Sequence, residues 1–105
     1  MDSKSFHMML VLAGGPLHGY AIRKEVEERT DGAIRLWPAT LYGTLKELTD
    51  RGWIQETEDA GGPDDDPRRR YYVLTVEGRR VLRAEASRLE GLARLARRRL
   101  AAGTA

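Results

Sequence analysis

The chain has 105 residues, 18 basic against 16 acidic, no cysteine and 41% hydrophobic content. The missing cysteines exclude a disulfide scaffold, a thiolate zinc site and a cysteine nucleophile, and the longest apolar run, Met8 to Ala13, falls far short of the ~18–20 residues that span a bilayer. The net charge of +2 hides an asymmetry: residues 1–66 hold 7 Lys/Arg and 13 Asp/Glu, whereas residues 67–105 hold 11 and 3.

The first expected helix carries Phe6, Met9, Leu10 and Ala13, with Ser3 or Ser5 as its cap. Gly14, Gly15 and Pro16 end it, because glycine accepts a left-handed cap and proline cannot continue the ladder. A second helix follows His18 and Gly19, with Tyr20, Ile22, Val26 and Arg29 on one side and Glu25, Glu27 and Glu28 outward. Thr30-Asp31-Gly32 breaks it, and Ile34 to Trp37 form an extended connector. Pro38 suits the first turn of a third helix, where its missing N–H has no partner to lose. Leu41, Leu45 and Leu48, at i, i+4 and i+7, give that helix one apolar stripe, and Arg51-Gly52 closes it. Trp53 to Glu58 then alternates as a strand, and Arg70 to Leu74 reads as its partner. Between them, Asp59 to Pro67 is a Gly/Pro/Asp loop. Thr75 caps a last helix from Val76 to about Ala101, roughly 39 Å long at 1.5 Å per residue. Such a helix exceeds what its own domain covers, and its leucines imply a partner, most simply a second copy.

Three helices followed by a two-stranded hairpin is the order of a winged helix-turn-helix. The expected fold is mainly α with a small β-wing, divided into a DNA-binding domain (1–75) and a C-terminal dimerisation helix with a short tail (76–105). In that architecture the third helix enters the major groove and the hairpin lies along the backbone. With its leucines inward, the third helix turns Ala39, Gly43, Lys46 and Asp50 outward, flanked by Thr40, Glu47 and Tyr42. Thr40 and Tyr42 carry hydroxyls suited to phosphate, and Lys46 adds a cation. Gly43 has two readings, close approach to DNA or close packing with another protein element, since mid-helix glycine costs about 1 kcal/mol against alanine. No outward Arg, Asn or Gln is placed for bidentate base reading.

The segment Met8-Met9-Leu10-Val11-Leu12-Ala13-Gly14-Gly15-Pro16-Leu17-His18-Gly19-Tyr20 resembles the opening of PadR-like transcriptional regulators. So do Pro38-Ala39-Thr40-Leu41-Tyr42, Leu45, Leu48, Gly52 and Ile54, then Arg69-Arg70-Tyr71-Tyr72, Leu74-Thr75 and Gly78. The resemblance covers about residues 6–82 and implies a cytoplasmic homodimeric repressor on a palindromic operator, of the shorter subfamily with one C-terminal helix. It also implies DNA contact at Tyr20, Thr40, Tyr42 and the wing arginines. The DNA-binding set is therefore Tyr20, Ala39, Thr40, Tyr42, Gly43, Lys46, Arg68, Arg69 and Arg70, and the dimerisation set is Phe6, Leu10, Leu82, Leu89, Leu92 and Leu95. Two departures stand out. Gly43 replaces a bulkier or basic residue, and Asp64-Asp65-Asp66 sit where a basic wing tip is usual, so contact is assigned to the wing base, with the tip held away or disordered.

No catalytic residue, cofactor or metal is expected, because two distant histidines do not converge as a zinc site requires. His18 reads as a cap or packing residue, and His7 as exposed or dimer-facing. Trp37 and Trp53 read as packing residues; the alternative is that one lines a pocket for a small-molecule effector of unknown identity. A different class of function stays open: a winged-helix adaptor that binds protein and not DNA, supported by Asp64 to Asp66, Glu47 and Asp50. The third possibility is primarily a small-molecule sensor.

Overall fold

The structure, a computed structural model, describes residues 1–58, 62, 65, 66 and 68–103. Within them the elements run α1 (Ser3–Leu12), β1 (Leu17–His18), α2 (Gly19–Arg29), α3 (Pro38–Asp50), β2 (Ile54–Thr57), β3 (Tyr71–Leu74) and α4 (Val76–Gly103). This is the winged helix-turn-helix with a long last helix that the element order implies. The sheet has three strands rather than two, in the antiparallel order β1-β3-β2. The added strand pairs Leu17 with Tyr72 and His18 with Tyr71. Two residues carry no readable alternation, so only the pairing with β3 reveals it.

Local chemistry sets the element ends. The cap of α1 is Asp2, not Ser3 or Ser5: its carboxylate accepts the Ser5 N–H at 2.8 Å, and both serines lie inside the first turn. The chain leaves α1 through Ala13 in right-handed geometry, and Gly15, at φ +135°, takes the conformation that only glycine adopts readily. His18 caps α2 by accepting the Ala21 N–H on Nδ1 at 3.2 Å. Thr75 links two elements: its hydroxyl donates to the Gly52 carbonyl at 2.6 Å and accepts the Gly78 N–H that opens α4 at 2.9 Å.

One core holds these elements. Met8, Met9 and Leu12 of α1 meet Ile22 and Val26 of α2, the Leu41-Leu45-Leu48 stripe of α3, and Ile54, Tyr72 and Leu74 of the sheet. Cutting a stripe leucine such as Leu45, only 2% exposed, back to alanine would cost about 2–5 kcal/mol. The connector before α3 buries Leu36 and turns Trp37 outward, 58% exposed beside the Arg23 guanidinium. Trp37 is thus a surface residue, against expectation, because the connector turns Ile34 and Leu36 to the core instead. Trp53 does pack on the core. His7 is half-buried and edge-on to Phe6.

The 28 residues of α4 span about 42 Å and give the molecule its 61 Å long axis. Val81 and Leu82 pack on the core, whereas every described residue from Ser87 onward is exposed. No helix among the described residues is long and apolar enough to cross a membrane.

Candidate nucleic-acid interface

Three elements converge on one concave surface. The start of α2 supplies Gly19 and Tyr20, the outer side of α3 supplies Tyr42, and the wing supplies Asp66 and Arg68 to Arg70, over a floor that includes His18 and Tyr72. Tyr20 and Tyr42 are 64% and 58% exposed although each sits in a helix. Gly19 permits this convergence, since a Cβ there would stand 3.4 Å from the Tyr42 hydroxyl. A row of rings fixes the wing to α2: His18 stacks on Tyr20 at 6.3 Å between centroids and meets Tyr71 edge-on at 5.4 Å.

The remaining expected residues of α3 lie on its outer side. Ala39, Gly43 and Lys46 are exposed and Thr40 is half-buried, while Leu41, Thr44, Leu45 and Leu48 face inward. A Cβ on Gly43 would meet nothing within 4 Å. Packing against another element of the same chain therefore does not explain that glycine.

The charged residues of the expected set are all ion-paired within the chain. Lys46 donates to Asp50 at 2.7 Å, and that contact raises the lysine pKa. Arg70 reaches Glu56 at 3.3 Å. Arg68 meets Asp66 through Nε at 3.2 Å and Nη2 at 3.3 Å, and its backbone N–H donates to the same carboxylate at 2.9 Å. Arg69 donates to Asp65 Oδ1 at 2.8 Å, and the Tyr71 hydroxyl donates to Asp65 Oδ2 at 2.7 Å. The Tyr71 hydroxyl, helped by Arg69, holds the Asp65 carboxyl below the usual carboxylate range, and Arg68 does the same for Asp66. Asp65 and Asp66 thus fold back onto the arginines. Asp64 lies outside the described residues.

Several of these roles escape sequence reasoning, namely His18 as a ring bridge, Tyr71 as the tether of Asp65, and Glu56 as partner of Arg70. The four-residue spacing of Asp65 and Arg69 is a usable signal on a helix. In a loop it acquires meaning only once the turn is known.

The expected dimerisation residues divide into two places. Phe6, Leu10 and Leu82 line one groove between α1 and α4 together with Leu74 and Ala86. Leu89, Leu92 and Leu95 stand exposed on the projecting part of α4. Among the described residues, no group of three or more His, Cys, Asp or Glu is placed to hold a metal ion.

Comparisons with known proteins agree with this architecture. A family model described as "Transcriptional regulator PadR-like family" matches residues 8–84. A PadR family transcription regulator from Clostridium difficile shares the fold with a TM-score of 0.79 at 24% identity, over 94% of this chain and 99% of that one. Bacillus subtilis PadR, solved in complex with operator DNA, matches with a TM-score of 0.67 at 26% identity, over 82% of this chain and 48% of that one. An uncharacterized 37.1 kDa protein in transposon TN4556 of Streptomyces fradiae is 38% identical over 87 residues, 80% of this chain. The chain spans only 23% of the length of that curated relative.

Proposed function

The chain belongs to the PadR-like family of transcriptional regulators, and from that premise we propose that it binds double-stranded DNA as a homodimeric repressor in the cytoplasm. The observation that carries the reading is the shared concave surface, where Tyr20, Tyr42 and three wing arginines meet beside the outer side of α3. In this reading residues 1–75 form the DNA-binding unit and α4 the dimerisation arm. The outer side of α3, with Ala39, Thr40, Tyr42, Gly43 and Lys46, enters the major groove, and Tyr20 with Arg68 to Arg70 grips the flanking phosphates. The matching of the Bacillus subtilis PadR complex with operator DNA supports the partner.

Two copies related by a two-fold axis present two α3 helices, so the site is a palindrome with half-sites about one helical turn, ~34–36 Å, apart. Repression follows from occupying a promoter. Release follows from an effector that favours a dimer geometry whose spacing no longer fits the DNA. A cavity of about 400 Å³ between α1, α3 and α4, lined by Leu48, Trp53, Val81 and Arg88 among others, joins the reading helix to the dimer arm and is the place for such an effector.

Selection of bound fragments from genomic DNA tests the reading. Enrichment of one palindrome near promoters is the expected result, and no enrichment overturns it. The second reading, a protein-binding adaptor, draws on the intramolecular pairing of Lys46 and Arg68 to Arg70, and absence of enrichment would favour it.

A further inference from the structure

The wing carries acids where its family resemblance leads one to expect bases, and the structure gives them a definite place. Asp66 accepts two side-chain bonds from Arg68, and Asp65 accepts one from Arg69 and one from Tyr71 on its two oxygens. A carboxylate that takes two bonds from one guanidinium, as Asp66 does from Arg68, occupies the position that a phosphate would take, because both present paired anionic oxygens to the same planar fork, whereas Asp65 occupies one donor of Arg69. Asp66 and all three arginines border the surface proposed to meet DNA.

We propose that Asp65 and Asp66 are built-in competitors of DNA phosphate, which keep the wing off non-specific DNA and so sharpen the choice of operator. The proposal rests on the DNA-binding reading above. An exposed ion pair is weak, so the carboxylates do not lock the wing shut. Their effect comes from tethering: a displaced carboxylate stays within a few bonds of the phosphate that displaced it and continues to repel it. Non-specific binding draws nearly all its strength from counterions released at phosphate contacts. A loosely seated wing therefore gains too little to displace both acids, and the wing stays folded on itself. On the operator, α3 contacts and groove shape hold the wing in register, and the exchange goes forward. Opposing a wrong partner with a fixed repulsive group is a general route to specificity.

The two acids differ in their second role. Asp65 is also bonded to Tyr71, and its side chain is 14% exposed against 38% for Asp66. Asp66→Asn therefore tests competition with little risk to the fold, and Tyr71→Phe loosens Asp65 without altering any charge.

The experiment is fluorescence anisotropy of the full chain on a scrambled duplex and on the selected palindrome, across a salt series, for wild type, D65N/D66N, D66N and Y71F. D65N/D66N should bind the scrambled duplex about tenfold more tightly at 50 mM salt, with a log K against log salt slope steeper by about 2, near 0.9 for each additional phosphate neutralised. Its operator affinity should rise less, so the ratio between the two falls. D66N and Y71F should move the same way by smaller amounts, with unchanged thermal melts. Unchanged slope and affinity in D66N, with the palindrome still bound, overturn the competition while leaving the DNA reading intact. If neither wild type nor any variant binds either duplex, both fall together; a variant that binds where wild type does not is the same competition in its strongest form.

Discussion

Gly78 and Gly43 are both glycines inside helices, and the structure gives them opposite reasons. A Cβ on Gly78 would overlap the Trp53 carbonyl, which is itself held by the Thr75 N–H at 3.0 Å. The obstacle is backbone at a junction pinned from both sides, so Gly78→Ala should destabilise the chain by about 1–3 kcal/mol through overpacking. A lowered midpoint in urea, with α4 still helical by circular dichroism, is the expected reading. Gly43 has open space before it, so Gly43→Ala should stabilise the isolated protein by about 0.5–1 kcal/mol. The same variant should bind the operator more weakly if the α3 backbone lies against DNA at that point. A gain in stability together with unimpaired binding would remove Gly43 from the contact set. In the sequence both residues are simply glycines within helical patterns. What separates them is a neighbour 25 residues away from Gly78 and none at all near Gly43, and local pattern carries neither fact.

The elements differ in how plainly they are written. α3 is legible because Pro38 opens it and Leu41, Leu45 and Leu48 fall one turn apart, so the inward stripe also determines the outward residues. α2 is legible through His18, whose cap bond is local. β1 is not legible, because two residues show no period, and the pairs of Arg68, Arg69 and Arg70 depend on how a Gly/Pro/Asp loop turns back. The consequence for binding is direct. Thr40 and Tyr42 come from α3 and Arg70 from the wing, and none of them belongs to the buried core. Replacing all three with alanine should reduce operator affinity at least a hundredfold, at ~1–2 kcal/mol for each charge-assisted or hydroxyl hydrogen bond removed, while sedimentation still shows a folded dimer. An unaltered affinity in that variant would mean that α3 and the wing are not the reading surface.

At the scale of the whole molecule, α4 is too long for the body it leaves, and its apolar residues carry a register. Leu82, Ala86, Leu89, Ala93, Ala96 and Leu100 are spaced 4, 3, 4, 3 and 4 apart, the spacing that a two-stranded helix pair would use as its seam. By helix geometry Leu95 lies about 140° around the axis from Leu82, far from this seam, whereas Leu92, about 80° away, flanks it. The spacing reads the same from either end. An antiparallel pair centred on Gly91 would set Leu82 against the partner's Leu100, Ala86 against the partner's Ala96, and Leu89 against the partner's Ala93. That arrangement also brings the exposed Leu100 to the groove formed by Phe6, Leu10, Leu74 and Leu82, so the bare end of each arm covers the apolar side of the other body. A parallel pair would set the two bodies side by side and leave both distal ends uncovered. Flanking charge does not choose the sense: Glu85 is buried and already paired with the Met1 amino group and Arg88 of its own chain, and Arg83 would face the partner's Arg97, where salt screens the repulsion. Groove filling therefore predicts the antiparallel orientation for a dimer of this chain. Because the chain contains no cysteine, the choice is readable by disulfide trapping. Ala86→Cys and Ala96→Cys chains carrying different tags, co-expressed and oxidised, should cross-link to each other and not to themselves, since only the antiparallel register brings the two Cβ atoms within the ~3.5–4.5 Å that a disulfide needs. Self-linked Ala86→Cys chains would establish the parallel sense, and a monomer in sedimentation would remove the dimer altogether.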